Sequence, residues 1–232
     1  MKARLIGYTQ PCDIIGLDNV QDLIAYCARV SNPTNQINSE TSERLLNYLI
    51  KHKHWSPFEM ASATLEVETT RDIARQFLRH RSFSFQEFSQ RYADPKDQDN
   101  TFVYREARLQ DPKNRQNSIE LDLSEMGMGG NKTEDEMLAE RWNEKQKEVI
   151  STAKEAYEWA IKNGIAKEQA RAVLPEGNTV STLYANGTIR SWIHYIELRS
   201  AHGTQKEHIL LAREIGKAIT KIFPMTEDFI NL

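Results

Sequence analysis

Arg79-His80-Arg81 and, seven residues further on, Ser89-Gln90-Arg91 are the chain's densest concentration of side chains able to do chemistry. Arginine's planar fork of donors suits a phosphate and cannot be switched off by deprotonation. Phe83 and Phe85 interleave with these polar residues, and Glu87 precedes Ser89. Upstream, Arg71, Arg75 and Arg79 recur at four-residue spacing, which predicts one face of a helix. An anionic ligand is the chemistry implied. A solvated basic helix face is the plain alternative. A grip on single-stranded nucleic acid by charge and aromatic stacking is another.

Other reactive types give weaker signals. His52 and His54 stand two apart without a further ligand at convincing metal spacing, so no metal is expected. Cys12 and Cys27 form neither a metal pattern nor a CxxC pair, and Cys27 falls on the apolar stripe of a helix, so neither suggests a nucleophile. Ser89 would need a base to attack anything; beside phosphate-seeking neighbours it reads as a hydrogen-bond donor.

The elements that must position these groups follow from periodicity. Residues 2–9 read as a strand. Asp18 is placed as the cap of a helix through Arg29, with Val20, Leu23, Ile24, Cys27 and Val30 as its stripe. A second helix follows Ser39, and Ser56-Pro57 breaks the chain after it. Residues 61–68 alternate as a half-buried strand feeding the arginine helix, whose other face carries Ile73, Ala74, Phe77 and Leu78. From about 94 to 132 the chain loses periodicity, contains MGMGG, and reads as a loop-rich insertion. Thr133 with Glu136 predicts a capping box on a long scaffold helix ending at Gly164, with Leu138, Trp142, Val149, Ala153, Ala156, Tyr157 and Ile161 buried. A strand over 179–185 turns at Asn186-Gly187, and helices follow over 188–199 and from about 205 to Pro224. The irregular alternation favours α+β, and no GxGxxG follows a strand.

At 232 residues a single domain over 1–232 is expected, with a core large enough to need no disulfide. The net charge of −3 makes the basic stretch a local feature and argues against a general nucleic-acid binder. No run approaches the ~20 apolar residues of a membrane span, and a reduced, cytoplasmic protein is expected.

Arg79-His80-Arg81, seven residues, then Ser89-Gln90-Arg91-Tyr92 resembles the signature of the flavin-dependent thymidylate synthases. His54-Trp-Ser56-Pro-Phe-Glu59 resembles that family's His-x-Thr-Pro-Phe-Glu loop, with serine for threonine. Glu168-Gln-Ala-Arg171-Ala-Val-Leu174-Pro175 resembles its Gln-Ala-Arg-x-x-Leu-Pro box. Arg190-Ser-Trp-x-His194 to Leu198-Arg199, and Gln205-x-Glu207, resemble the two that follow. Two departures stand out: Thr188 occupies the place of an asparagine, with Asn186 four before Arg190, and Gly203 replaces a histidine, with His202 one place early.

The resemblance implies one catalytic domain with a small, mostly antiparallel sheet packed by helices. It implies reductive methylation of dUMP to dTMP with 5,10-methylenetetrahydrofolate, NADPH and FAD, in a homotetramer with sites at subunit interfaces. For flavin it implies Ser56, Glu59, Arg79, His80, Arg81, Ser82, Glu87, Thr188, Arg190 and His194. For nucleotide it implies Gln76, Arg79, Glu87, Phe88, Ser89, Gln90, Arg91, Arg171 and Arg199. Arg199, His54 and Ser89 are the residues closest to the chemistry, Arg199 favouring a deprotonated pyrimidine by opposing charge. His80, Arg81 and His54 would suit a reduced, anionic flavin. A flavoprotein acting on a different nucleotide remains the other enzymatic reading.

Overall fold

The structure is a computed structural model, and it describes residues 1–13, 16–94, 101–123 and 132–230. MGMGG and part of the expected insertion lie outside these residues. The element order is β1 (Lys2–Tyr8), α1 (Val20–Ala28), α2 (Ser42–Lys51), β2 (Ser62–Thr70), α3 (Arg71–Phe77), β3 (Phe83–Glu87), β4 (Arg108–Gln110), β5 (Ser118–Glu120), α4 (Glu134–Lys162), α5 (Lys167–Ala170), β6 (Val180–Thr188), α6 (Ile189–Ser200), α7 (Lys206–Thr220) and α8 (Glu227–Ile230). A four-stranded sheet runs β1-β2-β6-β3, and β4 pairs with β5. The fold is α+β. None of its helices among the described residues is long and apolar enough to cross a membrane.

Two compact units interleave along the chain. The first comprises residues 1–68, 76–86 and 183–232. Antiparallel β1 and β2 pair from Lys2↔Glu68 to Tyr8↔Ala63, with an irregularity between Leu5 and Gly7. Strict alternation in β2 buries Ala63, Leu65 and Val67. In the same unit α6 buries Trp192, Ile193, Tyr195 and Ile196, and α7, packed against α6 and β1, buries Leu211, Ile215 and Ile219. Burying each large apolar side chain contributes about 1.5–3 kcal/mol. Trp192 also satisfies its one donor, giving its indole N–H to the Ala63 carbonyl at 3.1 Å.

The second unit comprises residues 69–75 and 87–182. Thr133 and Glu136 form the expected capping box at the start of α4. Gly164, at φ 78°, ends that helix in the left-handed region open to glycine. Tyr157, Ala160, Ala170 and Leu174 make a small core, with Phe102 and Ile161 packed on it.

Several expectations are corrected. The cap of α1 is Asn19, not Asp18: its side chain accepts from the Asp22 N–H. The stripe of α1 shifts too, with Val30 exposed and Cys27 only half buried. The buried face of α4 runs Gln146, Ile150, Ala153, Tyr157 and Ala160, while Leu138, Trp142 and Val149 are exposed. Arg79 lies beyond the end of α3 at Phe77. Asn186-Gly187 is not a turn but part of β6. Glycine is needed there because a Cβ would run into the Phe83 ring.

Candidate active site

In the first unit the RHR motif follows α3 and leads into β3. Arg79 and Arg81 are exposed, and among the described residues neither guanidinium has a side-chain partner. Ser82 is exposed and its carbonyl accepts from the Ser191 hydroxyl at 3.4 Å. His80 is different. Its Nε2 accepts a hydrogen bond from Arg199 Nε at 3.0 Å, and its ring packs edge-on to Tyr195 with centroids 5.0 Å apart. Burial first, and then the Arg199 charge, lower its pKa to about 4. At neutral pH the ring is therefore neutral, with its proton on Nδ1.

Arg199 and His80, far apart in sequence, are thus brought together. So are Glu59 and Arg190, which form an ion pair. Ser56 opens the short 3-10 helix Ser56–Glu59 and is exposed. His54 is also exposed, its ring 6.5 Å from that of Tyr48. His194 meets Trp55 edge-to-face at 4.5 Å. Its pKa is lowered by burial and then by Arg190, against the opposing pull of Glu197. Thr188 has a structural duty as the N-cap of α6, accepting the Ser191 N–H at 3.2 Å. Asn186 donates to the Thr64 hydroxyl at 2.7 Å.

In the second unit, Arg71 and Arg75 do not form a free cationic face. Arg71 is buried and reaches Glu176 at 3.1 Å and Glu87 at 3.5 Å; Arg75 reaches the same two carboxylates at 3.7 and 3.5 Å. Ser181 adds a hydroxyl donor to Glu87 at 3.0 Å. Both arginines already face carboxylates, which offsets their charge and weakens the case for a nucleic-acid grip. Glu87 is held rigidly at the end of β3.

Beyond it, Phe88 donates its backbone N–H to the Thr182 carbonyl at 2.8 Å, fixing the start of the Ser89-Gln90-Arg91 turn. Ser89 Oγ accepts from the Arg91 N–H at 3.4 Å. Arg91 pairs with Glu168 at 3.2 Å, both side chains half exposed, so a ligand phosphate can compete for it. Gln90 is buried, and its Nε2 makes no hydrogen bond among the described residues. Such a group costs free energy unless a ligand supplies an acceptor. Arg171 begins a 3-10 turn after α5 and is partly exposed.

The donor sets fit anionic ligands. The uncommitted forks of Arg79 and Arg81 match phosphates such as those of a flavin dinucleotide, and the orphaned Gln90 amide beside Ser89 and Arg91 matches a further phosphate or carbonyl. Both thiols stand outside these groups; burial pushes the pKa of Cys27 up, which disfavours its thiolate. The sequence motifs did not point to Glu176, Ser181 or His208, because their partners lie far off along the chain.

Residues 7–225 match the family model described as thymidylate synthase complementing protein. The chain is 49% identical over 224 residues to a probable flavin-dependent thymidylate synthase of Paramecium bursaria Chlorella virus 1, covering 97% of this chain and 96% of the relative. It is 47% identical over 225 residues to the flavin-dependent thymidylate synthase of Synechocystis sp., covering 96% and 94%. The crystal structure of the UMP/dUMP methylase PolB from Streptomyces cacaoi, bound with 5-Br dUMP, superposes with a TM-score of 0.76 at 25% identity, covering 99% of this chain and 94% of that one.

Proposed function

The chain belongs to the thymidylate synthase complementing protein family, and on that premise we propose that it is a flavin-dependent thymidylate synthase that methylates dUMP to dTMP. The observation that carries this reading is the pair of exposed guanidinium forks at Arg79 and Arg81, without a side-chain partner among the described residues, set inside the RHR motif of a chain matched to the family over nearly its whole length. FAD, when bound, supplies the route by which reducing equivalents reach the transferred carbon.

The finer assignments belong to the proposal. Arg79, Arg81, Ser82, Ser56, Glu59, Thr188, Arg190 and His194 hold the flavin, with neutral His80 as a hydrogen-bonding rather than a charged partner. Ser89, Gln90, Arg91 and Arg171 hold the nucleotide phosphate, with Gln76, Glu87 and Phe88 around the nucleoside. Arg199 faces the pyrimidine and favours its electron-rich form, and His80 orients that guanidinium by accepting its Nε–H. His54 lies on the flavin side. No cysteine attacks the ring. The methylene comes from 5,10-methylenetetrahydrofolate and the electrons from NADPH. The protein works as one catalytic domain over 1–232, in a cytoplasmic homotetramer with sites at subunit interfaces.

A second uridylate substrate is favoured by one observation: the Streptomyces cacaoi neighbour is described as acting on UMP as well as dUMP. The test is spectroscopic. Purified protein should carry an oxidised-flavin absorbance spectrum that dUMP perturbs, and parallel titration with UMP decides between the two. A folded protein that takes up no FAD and ignores both nucleotides contradicts the proposal.

A further inference from the structure

The first unit contains a run of side-chain hydrogen bonds with one direction. It ends at the buried carboxyl group of Glu207. Gln205 Nε2 donates to Glu207 Oε2 at 2.9 Å, which turns the Gln205 carbonyl toward Gln76. Gln76 Nε2 donates to that carbonyl at 2.8 Å, so Gln76 Oε1 faces the other way, 3.2 Å from His208 Nδ1. A carbonyl oxygen cannot donate, so the His208 proton is on Nδ1. Its Nε2 is then a lone pair, and it accepts from the Tyr195 hydroxyl at 3.0 Å. His208 and Tyr195 are both buried, and this run uses both ring nitrogens and the hydroxyl. The ring stays neutral at physiological pH: burial, then Arg199 and His80, lower its pKa to about 3.

Gln76, one member of this run, is also among the residues proposed above to surround the nucleoside. Its carbonyl is engaged by His208 and one amide hydrogen by Gln205, which among the described residues leaves the second amide hydrogen for a ligand. Held this way round, the side chain offers a donor; turned over, it offers an acceptor. Uracil presents carbonyl acceptors, whereas cytosine presents an amino donor at C4. The geometry points to Tyr195 and His208 as positioning residues that lock the Gln76 amide with its free N–H toward the nucleotide, so that the site takes a pyrimidine carbonyl and rejects an amino group. This specificity device rests on the dUMP reading.

The test uses the FAD-loaded enzyme and measures KM and kcat for dUMP together with inhibition by dCMP. His208→Leu removes the donor that pins Gln76, and should raise the dUMP KM about tenfold with a smaller change in kcat. The preference for dUMP over dCMP should fall by a similar factor. His208→Asn, whose amide nitrogen can stand in for Nδ1–H, should restore most of the preference. Tyr195→Phe keeps the ring and its packing but frees the His208 tautomer, and should move the preference a few-fold in the same direction. It therefore decides the matter even if a buried His208 variant fails to fold. An unchanged dUMP/dCMP preference in Tyr195→Phe and in whichever His208 variant folds overturns the proposal, even if kcat or stability drops. Wild type that turns over dUMP while the variants keep its preference overturns this inference alone; wild type that does not bind dUMP overturns the functional reading as well.

Discussion

Arg199 Nε donates to His80 Nε2 across 3.0 Å, and this bond settles the charge of the histidine in the RHR motif. A histidine that accepts from a guanidinium cannot also hold a proton on the accepting nitrogen. With its pKa lowered to about 4 by burial and by Arg199, the ring should show no NMR titration between pH 8 and about 5. Arg199→Gln removes only the second cause and should bring the pKa part of the way back toward 6.5. A wild-type midpoint near 6.5 contradicts this arrangement.

The same shifts make stability depend on pH. The folded pKa values of His80 and His208, about 4 and about 3, lie below the ordinary 6.5, so the unfolded chain takes up protons first as pH falls. Stability from keeping these rings neutral is full above about pH 6.5 and is lost as pH falls through that value toward 4 and 3. Urea midpoints should therefore fall from pH 7 to pH 4.5, and His208→Asn should flatten the trend. A wild-type midpoint that rises over this range contradicts it.

Gly187 faces the Phe83 ring with no room for a side chain. Gly187→Ala should destabilise the fold by about 1–3 kcal/mol through overpacking. Urea unfolding is the measurement, and Phe83→Leu in the same chain should relieve part of the loss. An alanine variant as stable as wild type would show that β3 does not approach β6 so closely.

The residues proposed for the two ligands should separate by mutation. Losing a charged hydrogen-bonding partner costs roughly 2–4 kcal/mol, about 30- to 1,000-fold. Arg91→Ala should weaken dUMP binding on that scale yet leave flavin bound and reducible. Arg199→Ala should harm turnover more than affinity. His54→Ala should slow flavin reduction or reoxidation while dUMP still binds. Loss of flavin from Arg91→Ala with unchanged dUMP affinity would invert the assignment.

What was legible in the sequence was local. The capping box of Thr133 and Glu136 is written within four residues, and the alternation of β2 within nine. Misreadings came from partners distant in sequence. Arg71 and Arg75 read as a ligand-seeking face because Glu176 stands about a hundred residues away. Asn186-Gly187 read as a turn because nothing nearby announces the Phe83 ring. The face of α4 was displaced because Leu138, Trp142 and Val149 are as apolar as the residues that face the small core. At the proposed site, motif spacing singled out the arginines, but not the neutrality of His80, which depends on burial and on an arginine 119 positions further on.

The most direct measurement of the central claim is dTMP formation from dUMP by the purified, FAD-loaded protein with 5,10-methylenetetrahydrofolate and NADPH, run beside a variant with Cys12 and Cys27 both changed to serine. Burial raises the pKa of the half-buried Cys27, which disfavours its thiolate, and neither cysteine belongs to the proposed site. The expected result is flavin-dependent dTMP from both proteins at similar rates, allowing for a modest stability loss at Cys27. If the folded, flavin-loaded wild type makes no dTMP, the functional reading is contradicted. If the serine variant keeps its fold and flavin but makes none, a thiol attacks the ring and the proposed chemistry is wrong.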